Sequence, residues 1–266
     1  MYLTIRHDTI YRYSAPLTYS IQQIRMTPPA LPSQYVAGWR ITAPGALDAS
    51  TDAYGNALHA LVVTRPLTEI ALHAHGAIDT QPLDDGRLGL DPGPVPVAHY
   101  TCATRLTEAD GAIRELAAPL EAGDGSGAFI ALAERIADAV AYRQGITAAT
   151  STAADALALR HGVCQDHAHL MLACCRARGV PARYVSGYFD AGDVPHAASH
   201  AWVDVWVREI GWVSVDVTHA RFAGEAYCRV ATGRDYEAAA PVRGVRIGGG
   251  DESLDVRVDV QAGGAL

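Results

Sequence analysis

A cysteine set just behind a glycine, at the head of a long helical run, constrains this chain more than any other stretch. In His161-Gly162-Val163-Cys164-Gln165-Asp166-His167-Ala168-His169-Leu170-Met171-Leu172 the thiol falls at a helix start. Unpaired backbone N–H groups and the positive end of the macrodipole favour a thiolate over a thiol there. The helix should run to about Arg178 and stop at Gly179, with Leu170, Cys174 and Ala177 on one stripe. Its Ala and Cys content predicts close burial against a sheet. Cys164 is therefore the candidate nucleophile.

A nucleophilic thiol needs a base and a group that orients the base. Ser199 to Val207 and Gly211 to Val217 alternate, rich in β-branched and aromatic residues, and predict two strands of one hairpin joined through Glu209-Ile210-Gly211. With a period of two, His200 shares a face with Trp202, Asp204 and Trp206, while Asp216 shares one with Trp212 and Ser214. Two registers are open. If 208 pairs with 212, position 204 faces 216; if 206 pairs with 212, position 202 faces 216 and His200 becomes its diagonal neighbour. Only the second brings imidazole and carboxylate within reach.

Four ordered motifs then carry a resemblance. Gly162-Val163-Cys164-Gln165-Asp166, Gly179-Val180-Pro181-Ala182-Arg183-Tyr184-Val185-Ser186-Gly187-Tyr188, His200-Ala201-Trp202 and Gly211-Trp212-Val213-Ser214-Val215-Asp216 resemble the bacterial branch of the transglutaminase-like superfamily. The resemblance implies an α+β fold with a papain-like core, a Cys-bearing helix packed on an antiparallel sheet. It also implies a triad in which Cys164 is the nucleophile, His200 the base and Asp216 its orienter. The superfamily includes transglutaminases, cysteine proteases and amidases. Two positions depart from its pattern: Val217 stands where Pro is common after the triad Asp, and Asp204 where Glu is usual after His-Ala-Trp. Neither removes a triad side chain.

The first eighty or so residues resemble the family's N-terminal β domain, and their pattern agrees. Strands are predicted over Tyr35 to Thr42, Ala57 to Thr64 and Ile70 to Ile78, and the first run stops at Ser14-Ala15-Pro16. Short strands without intervening helix suggest a small β-sandwich-like domain. The expected division is 1–82 as this domain, 83–100 as a Pro- and Gly-rich linker, and 101–266 as the catalytic core with a C-terminal strand around Leu254 to Val260. Helices are expected from Ala112, from Phe129 to Val140 and from Ala153 to Arg160.

Around the three main residues stand rivals. His196 is a second possible base, in a loop before His200, and Asp204 a second possible orienter, though roughly 13 Å along the strand. Gln165 and Trp202 are candidates for oxyanion or pocket roles, beside the backbone N–H of Cys164. Zinc held by Cys164, His161, His167 and His169 is disfavoured, because 161, 167 and 169 share no helix face and no Cys-x-x-Cys pair exists. No nucleotide, flavin or calcium motif appears, so no cofactor and no metal are expected.

A net charge of −8 without a basic cluster argues against nucleic acid or an anionic membrane as partner. The polar start and the lack of a spanning apolar run predict a cytoplasmic protein. The five cysteines fit free thiols better than a disulfide framework. The expected function is thiol-dependent acyl transfer on a peptide or protein substrate, most simply hydrolysis of a peptide or amide bond. Amine transfer to protein glutamine and a noncatalytic peptide-binding module are the alternatives.

Overall fold

A computed structural model describes residues 1–121, 123–190, 192 and 199–263. The chain opens with one long strand, β1 (Tyr2–Ile24), followed by β2 (Gln34–Thr42), β3 (Leu47–Thr51), β4 (Ala57–Val63) and β5 (Leu67–Thr80). Strand β1 bends near Pro16, where its pairing register slips, and the two halves find different partners. Its first half pairs with β5, and its second half with β4. The sheet curls so that Leu61 and Val63 of β4 meet Ile70, Leu72 and Ala74 of β5 over Leu17 and Ile24. The expected sandwich is thus a single curled sheet.

The segment between the two sheets is only partly irregular. Strand β6 (Arg87–Gly89) adds to the edge of the second sheet beside Trp212 and Val213. Helices α1 (Gly111–Ala117) and α2 (Ser126–Ala139), the two-residue strand β7 (Ala141–Tyr142), α3 (Ala153–Leu159) and its parallel partner β8 (His161–Gly162) then lead to α4 (Cys164–Ala177). Every residue of α4 from Asp166 to Arg176 is buried. Its apolar side chains pack on β9 (Ala182–Phe189) and β10 (Ser199–Val207), with α1, α2 and α3 around it.

The second sheet continues with β11 (Gly211–Asp216), β12 (Arg221–Phe222) and β13 (Tyr227–Gly233), in the order β12-β11-β10-β9-β13. Short helix α5 (Tyr236–Ala239) follows, then β14 (Val242–Gly248) and β15 (Glu252–Ala262). Both last strands pair with β1, β15 along its first half and β14 along its second. The C-terminal strand grouped above with the catalytic core is therefore hydrogen-bonded into the N-terminal sheet. The reason is edge pairing: the bend in β1 exposes a free edge on each half, and an alternating chain end satisfies it.

The N-terminal sheet also caps the open edge of β13. Gln34 accepts from the Arg229 N–H at 2.8 Å and donates to its carbonyl at 2.9 Å. Asn56 does the same for Thr232, at 2.8 and 2.7 Å. Two side-chain amides stand in for a neighbouring strand, so the two sheets form a continuous structure with a cleft between them.

Candidate active site

Cys164 is the first residue of α4, as its position after Gly162-Val163 predicts. Asp166 closes that helix end, accepting from the Val163 N–H at 2.8 Å and from the Thr147 hydroxyl at 2.7 Å. Gly162 makes room for this carboxylate: a Cβ there would lie 2.7 Å from the Asp166 Cβ. The half-buried thiol consequently sits at a helix N-terminus, where free N–H groups point outward.

Strand register decides the rest. Trp206 lies opposite Trp212 and Val203 opposite Val215, the register that makes His200 the diagonal neighbour of Asp216. His200 Nε2 is 2.9 Å from Asp216 Oδ2, and His200 and Cys164 line the same cleft. Burial works against the imidazolium, but the Asp216 carboxylate and the nearby Cys164 sulfur outweigh it, and the His200 pKa is pushed up to about 10. Asp216 is fully buried. Its burial opposes ionisation, yet hydrogen bonds from His200 and His219 hold its carboxyl well below the usual range.

Three residues around Asp216 had no signal strong enough to be read in the sequence. His219 Nδ1 is 2.7 Å from Asp216 Oδ2, and the Tyr227 hydroxyl donates to the same oxygen at 2.6 Å. Arg221 Nε in turn donates to the Tyr227 oxygen at 2.9 Å and lies over the Phe189 ring. Asp216 Oδ1 accepts from the backbone N–H groups of Thr218 and His219 at 3.0 and 3.2 Å, closing the turn that contains Val217. An Asp-x-Thr-His turn was the available clue to His219. Tyr227 had none, because β13 is too short and too evenly buried to show a period.

The rivals resolve differently. Asp204 is buried under Arg229 and Arg183, with Arg229 bound to both its oxygens at 2.7 and 2.8 Å and Arg183 at 2.8 Å. Burial opposes its ionisation and these two guanidinium groups overcome it, so its pKa is lowered. It makes no contact with His200. Trp202 stacks behind the His200 ring, centroids 6.2 Å apart, and donates to Ser214 Oγ at 3.0 Å. It backs the imidazole and does not line the cleft that opens at Cys164. Gly187, opposite His200 across the strand pair, makes this possible, since a Cβ there would lie 2.6 Å from Trp202. Gln165 does line the cleft, with its side-chain amide donating to the Ala149 carbonyl at 3.3 Å. His196 lies outside the described residues.

The zinc set drawn from the helix is dispersed into other bonds. His167 is held between Thr218 and the Val140 carbonyl, at 3.0 and 2.9 Å, and burial lowers its pKa. His169 accepts from the Tyr236 N–H at 3.2 Å, with burial holding its pKa near about 3. Among the described residues the cluster with metal-ligand spacing is His200, Asp216 and His219, whose ligand atoms lie within 4.8 Å of one another. Hydrogen bonds to the shared Asp216 oxygen already account for that closeness.

The cleft at Cys164 has a volume of about 270 Å³. One wall is the core, with Tyr184, Ser186, Tyr188 and His200; the other is the N-terminal sheet, with His7, Thr9, Tyr11 and Arg25. A thiol, an imidazole and a carboxylate in series, opening on such a cleft, can attack a carbonyl carbon and protonate a leaving group.

Comparison with known proteins agrees with this architecture. Residues 114–217 match the model of the transglutaminase-like superfamily, and residues 3–79 that of the bacterial transglutaminase-like N-terminal region. An uncharacterized protein of Mycobacterium tuberculosis is 32% identical over 286 residues, covering 96% of this chain and 91% of its own. One of Mycobacterium leprae is 31% identical over 280 residues, covering 97% and 98%. A protein-glutamine gamma-glutamyltransferase of Pseudomonas aeruginosa is 41% identical over 69 residues, which are 23% of this chain and 10% of that one. A Cytophaga hutchinsonii protein solved as a candidate cysteine protease shares the fold, with a TM-score of 0.78 at 22% identity over 98% of this chain and 90% of that chain. With both family regions matched in order and relatives aligned along almost its whole length, the chain belongs to the transglutaminase-like superfamily, in the bacterial branch that carries this N-terminal region.

Proposed function

We propose that the protein is a cysteine hydrolase of peptide or amide bonds, with Cys164 as nucleophile, His200 as acid and base, and Asp216 as orienter. The observation that carries this reading is the His200 ring, 2.9 Å from Asp216 and lining the same cleft as the Cys164 thiol at the start of α4. The Cys164 thiolate adds to the carbonyl carbon, and the oxyanion that forms faces the helix N-terminus. As the tetrahedral adduct collapses, His200 gives its proton to the departing amine and a thioester remains. Water then attacks the thioester, His200 takes up its proton, and the acid product leaves as the thiolate re-forms.

Amine transfer uses the same triad with an amine in place of water at the second step. The local identity to the Pseudomonas aeruginosa gamma-glutamyltransferase favours keeping it as a second reading.

The test is site-resolved alkylation by limiting iodoacetamide at about pH 6, well below the reference thiol pKa of about 8.5. Cys164 should label faster than Cys102 and should slow in His200→Ala. Release of acid from amide substrates, with and without an added primary amine, then separates hydrolysis from transfer. Equal labelling of Cys164 and Cys102 would remove the basis for both.

A further inference from the structure

The N-terminal sheet supplies the cleft with a guanidinium that the triad does not use. Arg25 follows β1 directly, its backbone N–H fixed on the Pro241 carbonyl at 2.8 Å, and its side chain is only 9% exposed. Nε is held by Asp52 Oδ2 at 2.7 Å. Asp52 is saturated in turn, accepting from the N–H groups of Tyr54 and Asn56 and from the Asn56 amide at 2.9, 3.0 and 3.0 Å. This arrangement fixes the guanidinium through Nε. Nη1 is buried without a hydrogen-bond partner.

Leaving a buried guanidinium nitrogen unpaired is unfavourable, and such groups in native proteins have an explanation. Among the described residues, Arg25 is the one with a buried, unpartnered side-chain atom that also lines the Cys164 cleft. Among the described residues the lining contains no Asp or Glu, in a chain whose net charge is −8. His7, the other basic N-terminal group there, is kept neutral by burial, which lowers its pKa to about 4 despite Asp8, and both its ring nitrogens are occupied by Tyr188 and Thr9. The lining also carries hydroxyls from Thr9, Tyr11, Tyr184 and Tyr236, with Val242, Leu254 and Val256 as an apolar flank. Among the described residues the cleft is therefore small, lined by no carboxylate and rich in hydroxyls, with the Arg25 guanidinium fixed away from the triad.

We infer that Arg25 is a specificity residue that binds a carboxylate on the substrate, so that the amides cleaved or transferred at Cys164 carry an acidic group in the part that enters the cleft. A carboxylate matches the free edge of a guanidinium with two parallel hydrogen bonds, a geometry that neither an amide nor a lysine reproduces. The carboxylate comes from an acidic side chain or from a free chain terminus; both present the same group. This inference rests on the proposed acyl-transfer site and assigns the N-terminal domain the task of selecting its substrate.

The test reads ligand occupancy without requiring turnover. Protection of Cys164 from iodoacetamide is measured with two matched pairs of compounds: acetyl-glutamate methylamide against acetyl-glutamine methylamide, and acetyl-alanine against acetyl-alanine methylamide. The first pair reports an acidic side chain and the second a chain terminus. In one pair or both, the carboxylate member should protect at about tenfold lower concentration, as a hydrogen bond to a charged group allows. That preference should vanish in Arg25→Met and weaken in Arg25→Lys, which keeps the charge without the fork. Equal or better protection by the neutral members in wild type overturns the inference without needing any variant to fold, and so does a preference that survives in Arg25→Met. Slow labelling of Cys164 with no compound present is a different failure, that of the acyl-transfer reading itself.

Discussion

His219 Nδ1 lies 2.7 Å from Asp216 Oδ2, closer than the 2.9 Å that separates the same oxygen from His200 Nε2. The Asp216 carboxylate, the proposed orienter, is thus held by two imidazoles and the Tyr227 hydroxyl. His219→Ala removes one clamp and leaves the triad's own bond. We expect kcat/KM to fall about tenfold, the scale of lost outer-shell bonds, against a loss of about 10²–10⁴ for His200→Ala. Steady-state kinetics on one amide substrate compares the two, and equal losses would make His219 part of the reacting machinery.

On the proposed mechanism, the raised pKa of His200 should set an alkaline limb of activity. Its imidazolium persists through neutral pH and is lost as pH rises through about 10, so protonation of the leaving amine should fail there. The same shift contributes to stability. Because the folded pKa exceeds the reference of about 6.5, the contribution is complete below that value and disappears on the way up to about 10. Asp216 has the opposite sign: its depressed pKa stabilises the fold above the ordinary carboxylate value of about 3.9 and ceases to do so as pH falls further. Denaturant midpoints measured from pH 3 to 11 should decline at both ends, and Asp216→Asn should flatten the two limbs together.

Asp204 sits two residues beyond Trp202 on the strand of His200, but its partners are Arg183, Arg229 and Ser214. Asp204→Ala leaves the buried Arg229 and the half-buried Arg183 facing no carboxylate, so it should destabilise the protein by about 3–5 kcal/mol, the cost of breaking a buried pair. Urea unfolding measures this. In the fraction that remains folded, alkylation of Cys164 should keep its wild-type rate, whereas an orienting role for Asp204 would slow it.

Gly162 has space for hydrogen alone. A methyl in its place would meet the Asp166 side chain at 2.7–3.1 Å, so Gly162→Ala must displace the residue that closes the N-terminus of α4. We expect about 1–3 kcal/mol of lost stability from overpacking. Cys164 should also label more slowly, because its helix start is disturbed. Thermal unfolding and iodoacetamide rates report the two effects separately.

Much of this site was legible from short-range pattern. A Gly-x-Cys before a helical run placed the thiol at a helix start, where α4 begins. Alternation over 199–217 placed His200 and Asp216 on neighbouring strands. These signals are local, because helix starts and strand faces depend on residues a few positions apart. The motif order carried the family, and with it the α+β fold.

Tertiary structure decided what depends on registers and on distant chain segments. The pairing of Trp206 with Trp212 selected one of two possible registers, and a shift of two residues would have placed Asp204 opposite Asp216. The Tyr227 contact depends on the turn after β11 bringing β13 back toward Asp216, and the cleft wall bearing Arg25 depends on a sheet closed by the last strands of the chain. The sequence by itself determined which residues could react, because that chemistry is written in residue type and short spacing. The pairing of strands far apart in the chain decided which of them meet, because side-chain alternation sets the face a residue occupies and leaves its partner open.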